Sequence, residues 1–144
     1  MTQLTSSLAS LFQTPPFQEA INFFNTEQWY VAHDRLEELW YETTGQLREL
    51  LQAVIQISVA EYHLENGNIR GSILLMAEGL NHLVSSRSLD TGYDLSSLQQ
   101  VVSNRLLALQ NGSDLAPCPR PRLLLTSLDH RSDSPILLSS LDPQ

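Results

Sequence analysis

The segment AHDRLEELW, residues 32–40, contains two side chains, His33 and Glu37, that can act as acid, base or metal ligand. They are four residues apart, so they lie on the same face if the segment is helical. At about 100° per residue, that face also carries Trp29 and Leu36. An imidazole and a carboxylate among apolar side chains need partners, since burial of an unpaired polar group is unfavourable. The spacing therefore marks a candidate site.

A second polar stripe follows on the longest apolar segment, LRELLQAVIQISVAEYHLEN. Gln56 and His63 fall within about 40° of one another on a helical wheel. Asn68 follows at the start of the next predicted helix. If this stripe faces the first segment, a ligand-binding pocket forms between the two helices; if it faces solvent, no pocket forms. The candidate pocket residues are His33, Glu37, Gln56, His63 and Asn68.

Three interpretations of this pocket are open from the residues alone. A metal site would use His33 and Glu37 from one helix and His63 from the next, a two-histidine, one-carboxylate set that suits zinc or non-haem iron. The chain lacks the second histidine of a helical H-E-x-x-H motif, so the metal signal is weak. A divalent metal is therefore an alternative that we do not favour, and any cofactor is unknown.

The second interpretation is a metal-free acid–base site, in which Glu37 orients His33 as a proton acceptor. No nucleophile with a recognisable motif accompanies the pair. The third interpretation is purely structural: the polar side chains pair with one another inside a bundle, because an unpaired buried polar group costs about 1 to 3 kcal/mol. We favour the structural interpretation over a catalytic or ligand-binding role.

Apolar periodicity predicts an all-α fold, a mostly antiparallel bundle of four to five helices. The third helix carries apolar residues over more than half of its circumference, so it should be central. Asn25 or Thr26 is predicted to cap the second helix, Gly67 to end the third, and Asn68 and Asp94 to cap the fourth and fifth. The predicted helices span residues 15–24, 26–43, 46–66, 68–86 and 94–111.

Composition predicts a domain followed by a tail. Residues 14–112 form the helical bundle domain, and residues 113–144 form a Pro/Ser-rich tail that we expect to be flexible. Two leucine-containing clusters in the tail, at residues 123–125 and 136–138, could dock on the domain or on a partner. We favour docking on the protein's own domain.

The chain of 144 residues is acidic, with a net charge of −8 and no lysine. This charge argues against binding to nucleic acid or to an anionic membrane surface. No apolar run approaches the roughly 18 residues of a membrane span. No basic residue precedes Arg35 either, so we expect a cytoplasmic protein. Cys118, the only cysteine, has no partner for an internal disulfide, and His82 and His130 are predicted to lie on the surface.

The segments FNTEQWYVAHDRLEELW and LLQAVIQISVAEYHLENGNIRGS resemble a known family, the domain of unknown function 309 family. The family pattern has an F-N stretch before an A-H-E-x-L-E-x-x-W helix, then an L-I-Q-x-A-x-A-x-x-H helix and a G-N-x-x-G-A turn. The resemblance extends from residue 23 to about residue 84. The matching positions are Phe23, Asn25, Ala32, His33, Leu36, Glu37, Trp40, Gln56, Ala60, His63, Gly67, Asn68 and Gly71.

Departures from the family pattern are few. Asp34 stands where the family has glutamate, and Ser72 stands where it has alanine. The resemblance implies an all-α bundle of four or five helices in prokaryotic or plastid-lineage proteins. It implies no established activity.

Two functions are consistent with these observations. The one we favour is a non-catalytic binding or scaffolding module. Its partner would be another protein or a second copy in a homodimer, which meets either the tail leucines or a pair expected to be exposed, Leu74 and Leu75. The alternative is a small-molecule or metal-dependent enzyme that uses the candidate pocket between the two helices.

Overall fold

The computed structural model describes residues 11–126, and this range contains five complete α-helices. Within it no strand is present, and the extended pairing consists of one isolated antiparallel bridge between Tyr93 and Leu125. The predicted all-α fold is confirmed. The helices are α1 Pro15–Asn25, α2 Trp29–Tyr41, α3 Gly45–Glu65, α4 Ile69–Ser86 and α5 Leu95–Gln110.

The central helix of the bundle is α3, as its wide apolar arc predicts. It packs against α2 on one side and most extensively against α4 on the other. Turns of three residues join α1 to α2, α2 to α3 and α3 to α4, so these neighbours run antiparallel. The first residues of α2 therefore lie beside the last residues of α3.

Three of the predicted helix ends have the expected local chemistry. Gly67 closes α3 with a φ of 79°, in the left-handed region that glycine adopts without strain. Asn68 caps α4, because its Oδ1 accepts a hydrogen bond from the Gly71 backbone N–H at 2.9 Å. Asp94 caps α5 in the same way, accepting from the Ser97 N–H at 3.0 Å.

The predicted start of α2 is wrong. Neither Asn25 nor Thr26 caps it; the helix begins at Trp29, and Glu27 has a φ of 65°. The reason is that both side chains have other partners: the Thr26 hydroxyl donates to the Asn22 carbonyl of α1 at 2.8 Å, and Asn25 binds the C-terminal segment. Asn25 Nδ2 donates to the Leu123 carbonyl at 3.0 Å, and Asn25 Oδ1 accepts from the Leu123 N–H at 2.7 Å. Asn25 is thus engaged by a residue 98 positions away and does not act as the helix cap that the local sequence predicts.

The segment 113–126 packs on the helices over part of its length. Leu123 is 2% exposed and belongs to the core, so docking on the protein's own domain is confirmed for this residue. Leu124 and Leu125, in contrast, are exposed. The second cluster, at residues 136–138, lies outside the described residues, and the domain boundary at residue 112 stays a prediction.

No helix within residues 11–126 is both long enough and apolar enough to cross a membrane.

The contact between α3 and α4 is close at a small residue of α4, Gly79. Gly79 faces α3 so tightly that a β-carbon there would lie 3.0 Å from Ile57 Cγ1 and 3.2 Å from the Ala53 carbonyl oxygen. Ser72 is fully buried on the same helix, and its Oγ has no hydrogen-bond partner in the described part of the chain. Gly79 thus permits the close approach of the two helices, and Ser72 is a buried hydroxyl of α4 without a hydrogen-bond partner.

Ser72→Ala is expected to raise the free energy of unfolding by about 1 kcal/mol, because it removes an unpaired buried hydroxyl and alanine has the higher helix propensity. The matched control is Ser58→Ala in α3, where the buried Oγ donates to the Val54 carbonyl at 2.8 Å. Ser58→Ala removes this hydrogen bond, so it should raise the free energy of unfolding less than Ser72→Ala does, or lower it. Urea unfolding with an unchanged m value measures both. A Ser72→Ala variant less stable than the parent would contradict the assignment of this hydroxyl as unpaired.

Candidate functional site

A small cavity lies between the first turns of α2 and the last turns of α3. Its volume is about 130 Å³. Three residues come from each helix, at the spacings that place side chains on one helical face. The lining residues are Trp29, Tyr30 and His33 from α2, and Val59, Tyr62 and His63 from α3.

Aromatic rings form most of the cavity wall. The Tyr30 and Tyr62 rings, one from each helix, lie 5.4 Å apart at an interplanar angle of 48°. The Tyr30 ring also contacts the His33 imidazole, at 5.6 Å between ring centroids. Trp29 is 2% exposed and packs its indole edge-to-face against Phe24 of α1. Such walls favour a planar, largely apolar ligand.

Two buried nitrogen atoms on lining residues have no hydrogen-bond partner within residues 11–126. One is Trp29 Nε1, which can only donate, and the other is His33 Nδ1. A buried polar atom without a partner is rare and unfavourable, at about 1 to 3 kcal/mol. Both atoms are shielded, so the surface that the lining residues present to the cavity is apolar.

The His33 and Glu37 side chains are close but form a loose pair. His33 Nε2 lies 3.5 Å from Glu37 Oε2, and the side chains are 21% and 41% exposed. The pair is therefore more exposed than we expected from the apolar residues that surround it in the sequence. Glu37 stands behind the imidazole and does not line the cavity.

His63 lines the same cavity as His33, so the structure brings the two predicted histidines together. Its Nδ1 lies 3.5 Å from Asn68 Nδ2, while Asn68 Oδ1 serves as the cap of α4. Gln56 does not reach the cavity; its Nε2 donates to Glu78 Oε1 of α4 at 3.1 Å. The polar stripe of α3 thus faces α2 at His63 and α4 at Gln56.

The proposed metal set gains no geometric support. In the described part of the chain, no group of three or more His, Cys, Asp or Glu residues is arranged to hold a metal ion. The set His33, Glu37 and His63 stays a hypothesis from the sequence. His82 is partly exposed, with its Nδ1 3.3 Å from Glu49 Oε2, and His130 lies outside the described residues.

A buried ion pair, which sequence reasoning missed, joins α3 to α5. Arg105 Nε donates to Glu61 Oε2 at 2.6 Å, and Arg105 Nη2 donates to Glu61 Oε1 at 2.7 Å. Arg105 Nη1 also donates to the carbonyls of Cys118 and Pro119, at 3.4 and 3.3 Å. Burial raises the pKa of the Glu61 carboxyl, and the Arg105 guanidinium acts against that rise. The Glu61 carboxylate oxygens and the Arg105 nitrogens all have hydrogen-bond partners, so the pair has a structural role: it holds α3, α5 and the C-terminal segment together.

A sequence signal for this pair existed on α3. Glu61 follows Val54 by seven residues and Ile57 by four, so a helical wheel places it on the buried face. Arg105 follows Val102 by three residues in α5, so a helical wheel places this charge on the apolar face as well. Two opposite charges at apolar positions indicate a buried pair.

A second set of ion pairs holds the C-terminal segment at the turn before α2. Arg120 Nη1 donates to Glu27 Oε1 at 2.7 Å, and Arg122 Nη2 donates to Glu27 Oε2 at 2.6 Å. The Arg122 guanidinium, together with Arg120, holds the pKa of the Glu27 carboxyl below its usual range. The segment after α5 is therefore held to the helices at two places, by hydrogen bonds to Arg105 and by ion pairs with Glu27.

The fold and the cavity define a class: an all-helical protein with a small aromatic pocket between two antiparallel helices. Residues 17–75 match the model of the family described as "Domain of unknown function (DUF309)". This segment runs from α1 into α4 and includes every residue that lines the cavity; Arg105 and the C-terminal segment lie outside it. A comparison with curated proteins gives no match.

Proposed function

We propose that this protein is a non-catalytic binding module, and that the cavity between α2 and α3 is its ligand site. The observation that carries the proposal is the aromatic wall of this cavity, where the Tyr30 and Tyr62 rings of the two helices lie 5.4 Å apart. A planar, largely apolar ligand would pack against these rings.

The cavity volume limits the size of the ligand. A dry apolar cavity of about 150 Å³ in a protein core binds benzene. The cavity between α2 and α3 is about 130 Å³, so a single six-membered ring matches it and a larger skeleton would have to extend to the surface. The exposed Tyr30 and Tyr62 rings stand at its edge and would contact such an extension.

The lining chemistry supports binding more than catalysis. Among the described residues, the six that line the cavity include no Ser, Thr, Cys, Asp or Glu, the usual nucleophiles and carboxylate acid–base groups. The alternative, a small-molecule or metal-dependent enzyme, draws its support from the 3.5 Å contact between His33 and Glu37. A carboxylate behind an imidazole can orient a general base, so this alternative stays a hypothesis.

The binding proposal is tested by titrating the full chain with benzene and phenol while amide chemical shifts are recorded by NMR. We expect shifts that cluster around Trp29, His33 and His63, with dissociation constants in the millimolar range, about −4 kcal/mol. Val59→Phe should fill the cavity and abolish these shifts. Val101→Phe, the same change in α5, is the matched control and should leave binding intact. Binding that survives Val59→Phe, or no response to either probe, would overturn the proposal.

The scaffolding hypothesis keeps part of its basis. Leu74 is 60% exposed, as predicted, but Leu75 is not exposed: it packs partly buried against the core. A protein partner or a homodimer that meets Leu74, Leu124 or Leu125 stays a prediction. Removal of residues 113–144 is an unsuitable test because it deletes the buried Leu123. Leu74→Ser combined with Leu124→Ser and Leu125→Ser keeps the core residue Leu123 and tests these contacts by the oligomeric state in solution.

A further inference from the structure

We infer that residues 136–138 of this chain bind in a groove between α1 and the extended segment 123–126, and pair with the open backbone edge at Leu125. The groove has a volume of about 300 Å³ and shares no lining residue with the cavity between α2 and α3, so the inference is independent of the proposed ligand site. Its lining residues are Gln18, Ile21, Asn22 and Asn25 of α1, with Tyr93, Leu123, Leu124 and Leu125.

The extended segment has one paired edge and one open edge. On the paired edge, the Leu124 carbonyl and the Thr126 N–H form hydrogen bonds of 2.8 and 2.7 Å with the backbone of residues 92–94. This pattern makes Tyr93 and Leu125 a non-hydrogen-bonded pair, so the N–H and C=O of Leu125 point away from Tyr93. In the described part of the chain, neither group has a backbone partner.

The open edge faces the polar side of α1. Asn25 already binds this edge at Leu123, with hydrogen bonds of 2.7 and 3.0 Å to the backbone N–H and carbonyl. Residues two apart in an extended chain point the same way, so the Leu125 groups lie on the side of the Leu123 groups. A side-chain amide thus takes the place of a neighbouring strand at Leu123, and a strand can take that place at Leu125.

The apolar face of the extended segment is covered at one position and open at the next. Leu123 and Leu125 share this face, because they are two residues apart. Leu123 is 2% exposed and belongs to the core, but Leu125 is 68% exposed. Among the described residues, the helices therefore cover the face at Leu123 and not at Leu125. A further apolar segment beside Leu125 would extend the core.

Residues 136–138 meet the requirements of this groove. They are Ile-Leu-Leu, in the uncharged stretch 134–141, and no residue that lines the groove is charged. The described chain ends at Thr126, on the extended segment itself. Residues 127–135 can span up to about 30 Å, which is enough to turn and return. Pro135 lacks an N–H and suits the first position of an added strand.

Two other occupants can be distinguished from this one. Residues 1–10 lead into Leu11 and Phe12, which are helical, whereas the edge at Leu125 binds extended backbone. A second copy of the chain could bring its own residues 136–138 to the groove. Such binding would depend on protein concentration, and binding within one chain would not.

Hydrogen exchange of the Leu125 amide, measured by NMR on the isotope-labelled full chain, tests the inference. The variant combines Ile136→Asp with Leu138→Asp. We expect the Leu125 amide to exchange about tenfold more slowly in the parent protein than in this variant, the factor that one net hydrogen bond gives. The reason is that carboxylates are costly to place in an uncharged groove.

The matched control adds two carboxylates to the connecting residues instead. His130→Asp combined with Ser132→Asp should keep the slow exchange of Leu125. The Thr126 amide, hydrogen-bonded at 2.7 Å, should exchange equally in all these proteins and reports that the extended segment stays in place.

A second pair of variants tests the wall of the groove. Gln18→Glu places a carboxylate in the wall at nearly constant shape and should speed exchange of the Leu125 amide about threefold or more. Gln46→Glu, on an exposed position of α3, is the matched control and should leave that exchange unchanged.

Three results would overturn the inference. Equal exchange of the Leu125 amide in the parent protein and in the double aspartate variant means that residues 136–138 do not cover it. Fast exchange in the control that carries His130→Asp and Ser132→Asp means that added charge alone removes the protection. Slow exchange that disappears on dilution assigns the groove to a second copy of the chain.

Discussion

Glu61→Ala is expected to lower the free energy of unfolding by about 3 to 5 kcal/mol, the largest effect of any single substitution proposed for this protein. Glu61 and Arg105 are 2% and 3% exposed, and the alanine variant leaves the Arg105 guanidinium buried without its counter-charge. Its remaining partners, the carbonyls of Cys118 and Pro119, are at 3.3 to 3.4 Å and carry no charge. Chemical denaturation monitored by circular dichroism measures the loss.

A double variant separates charge burial from packing at this position. Glu61→Leu combined with Arg105→Leu removes both charges, so it should be less destabilised than either single variant, because no unpaired charge stays inside the protein. The exposed pair Arg35 and Glu19, with a 2.7 Å contact, supplies the comparison: Glu19→Ala should change stability by less than about 1 kcal/mol. Equal losses for Glu61→Ala and Glu19→Ala would contradict the role of burial.

Gly79→Val should lower the free energy of unfolding by about 3 kcal/mol, since α3 and α4 must separate to admit the side chain. The atoms around the new β-carbon include the Ala53 carbonyl oxygen at 3.2 Å and the Ile57 backbone nitrogen at 3.3 Å. Backbone atoms inside a helix cannot rotate away as a side chain can, so the strain spreads over the whole α3–α4 contact.

Two further substitutions in α4 test this explanation. Gly79→Ala should be destabilised less than the valine variant, because the better helix propensity of alanine, about 1 kcal/mol, offsets part of the strain. Asn81→Val, on an exposed position of the same helix, should stay within about 0.5 kcal/mol of the parent protein. If Asn81→Val is as destabilising as Gly79→Val, the loss comes from the β-branched side chain and not from the helix contact.

The sequence by itself determined the helices and most of their ends. Apolar periodicity identified the five helices listed above within residues 11–126, and the Asn68 and Asp94 caps were predictable because a capping side chain binds a backbone N–H three residues away. The placement of His33 on the inner side of α2 was predictable for the same reason, since a helical face depends only on spacing along one chain segment.

Only the tertiary structure decided where those faces meet. The Asn25 side chain had a local capping role available, but two hydrogen bonds to the Leu123 backbone replaced it. The Glu61–Arg105 pair joins α3 to α5 across 44 residues of sequence, although α5 packs mainly against α4. No periodicity within one helix specifies such a partner.

Some features of the candidate site were likewise predictable from the sequence, and others depended on the tertiary structure. His33 and His63 were identified from their helices, and the turn between α2 and α3 brought them to one cavity. Gln56 shares a face with His63 on the wheel, yet it lies about two turns earlier, where α4 and not α2 is the neighbour. The unpartnered Trp29 Nε1 could not be found from sequence at all, because whether a buried donor is satisfied depends on every atom that packs around it, and those atoms come from other helices.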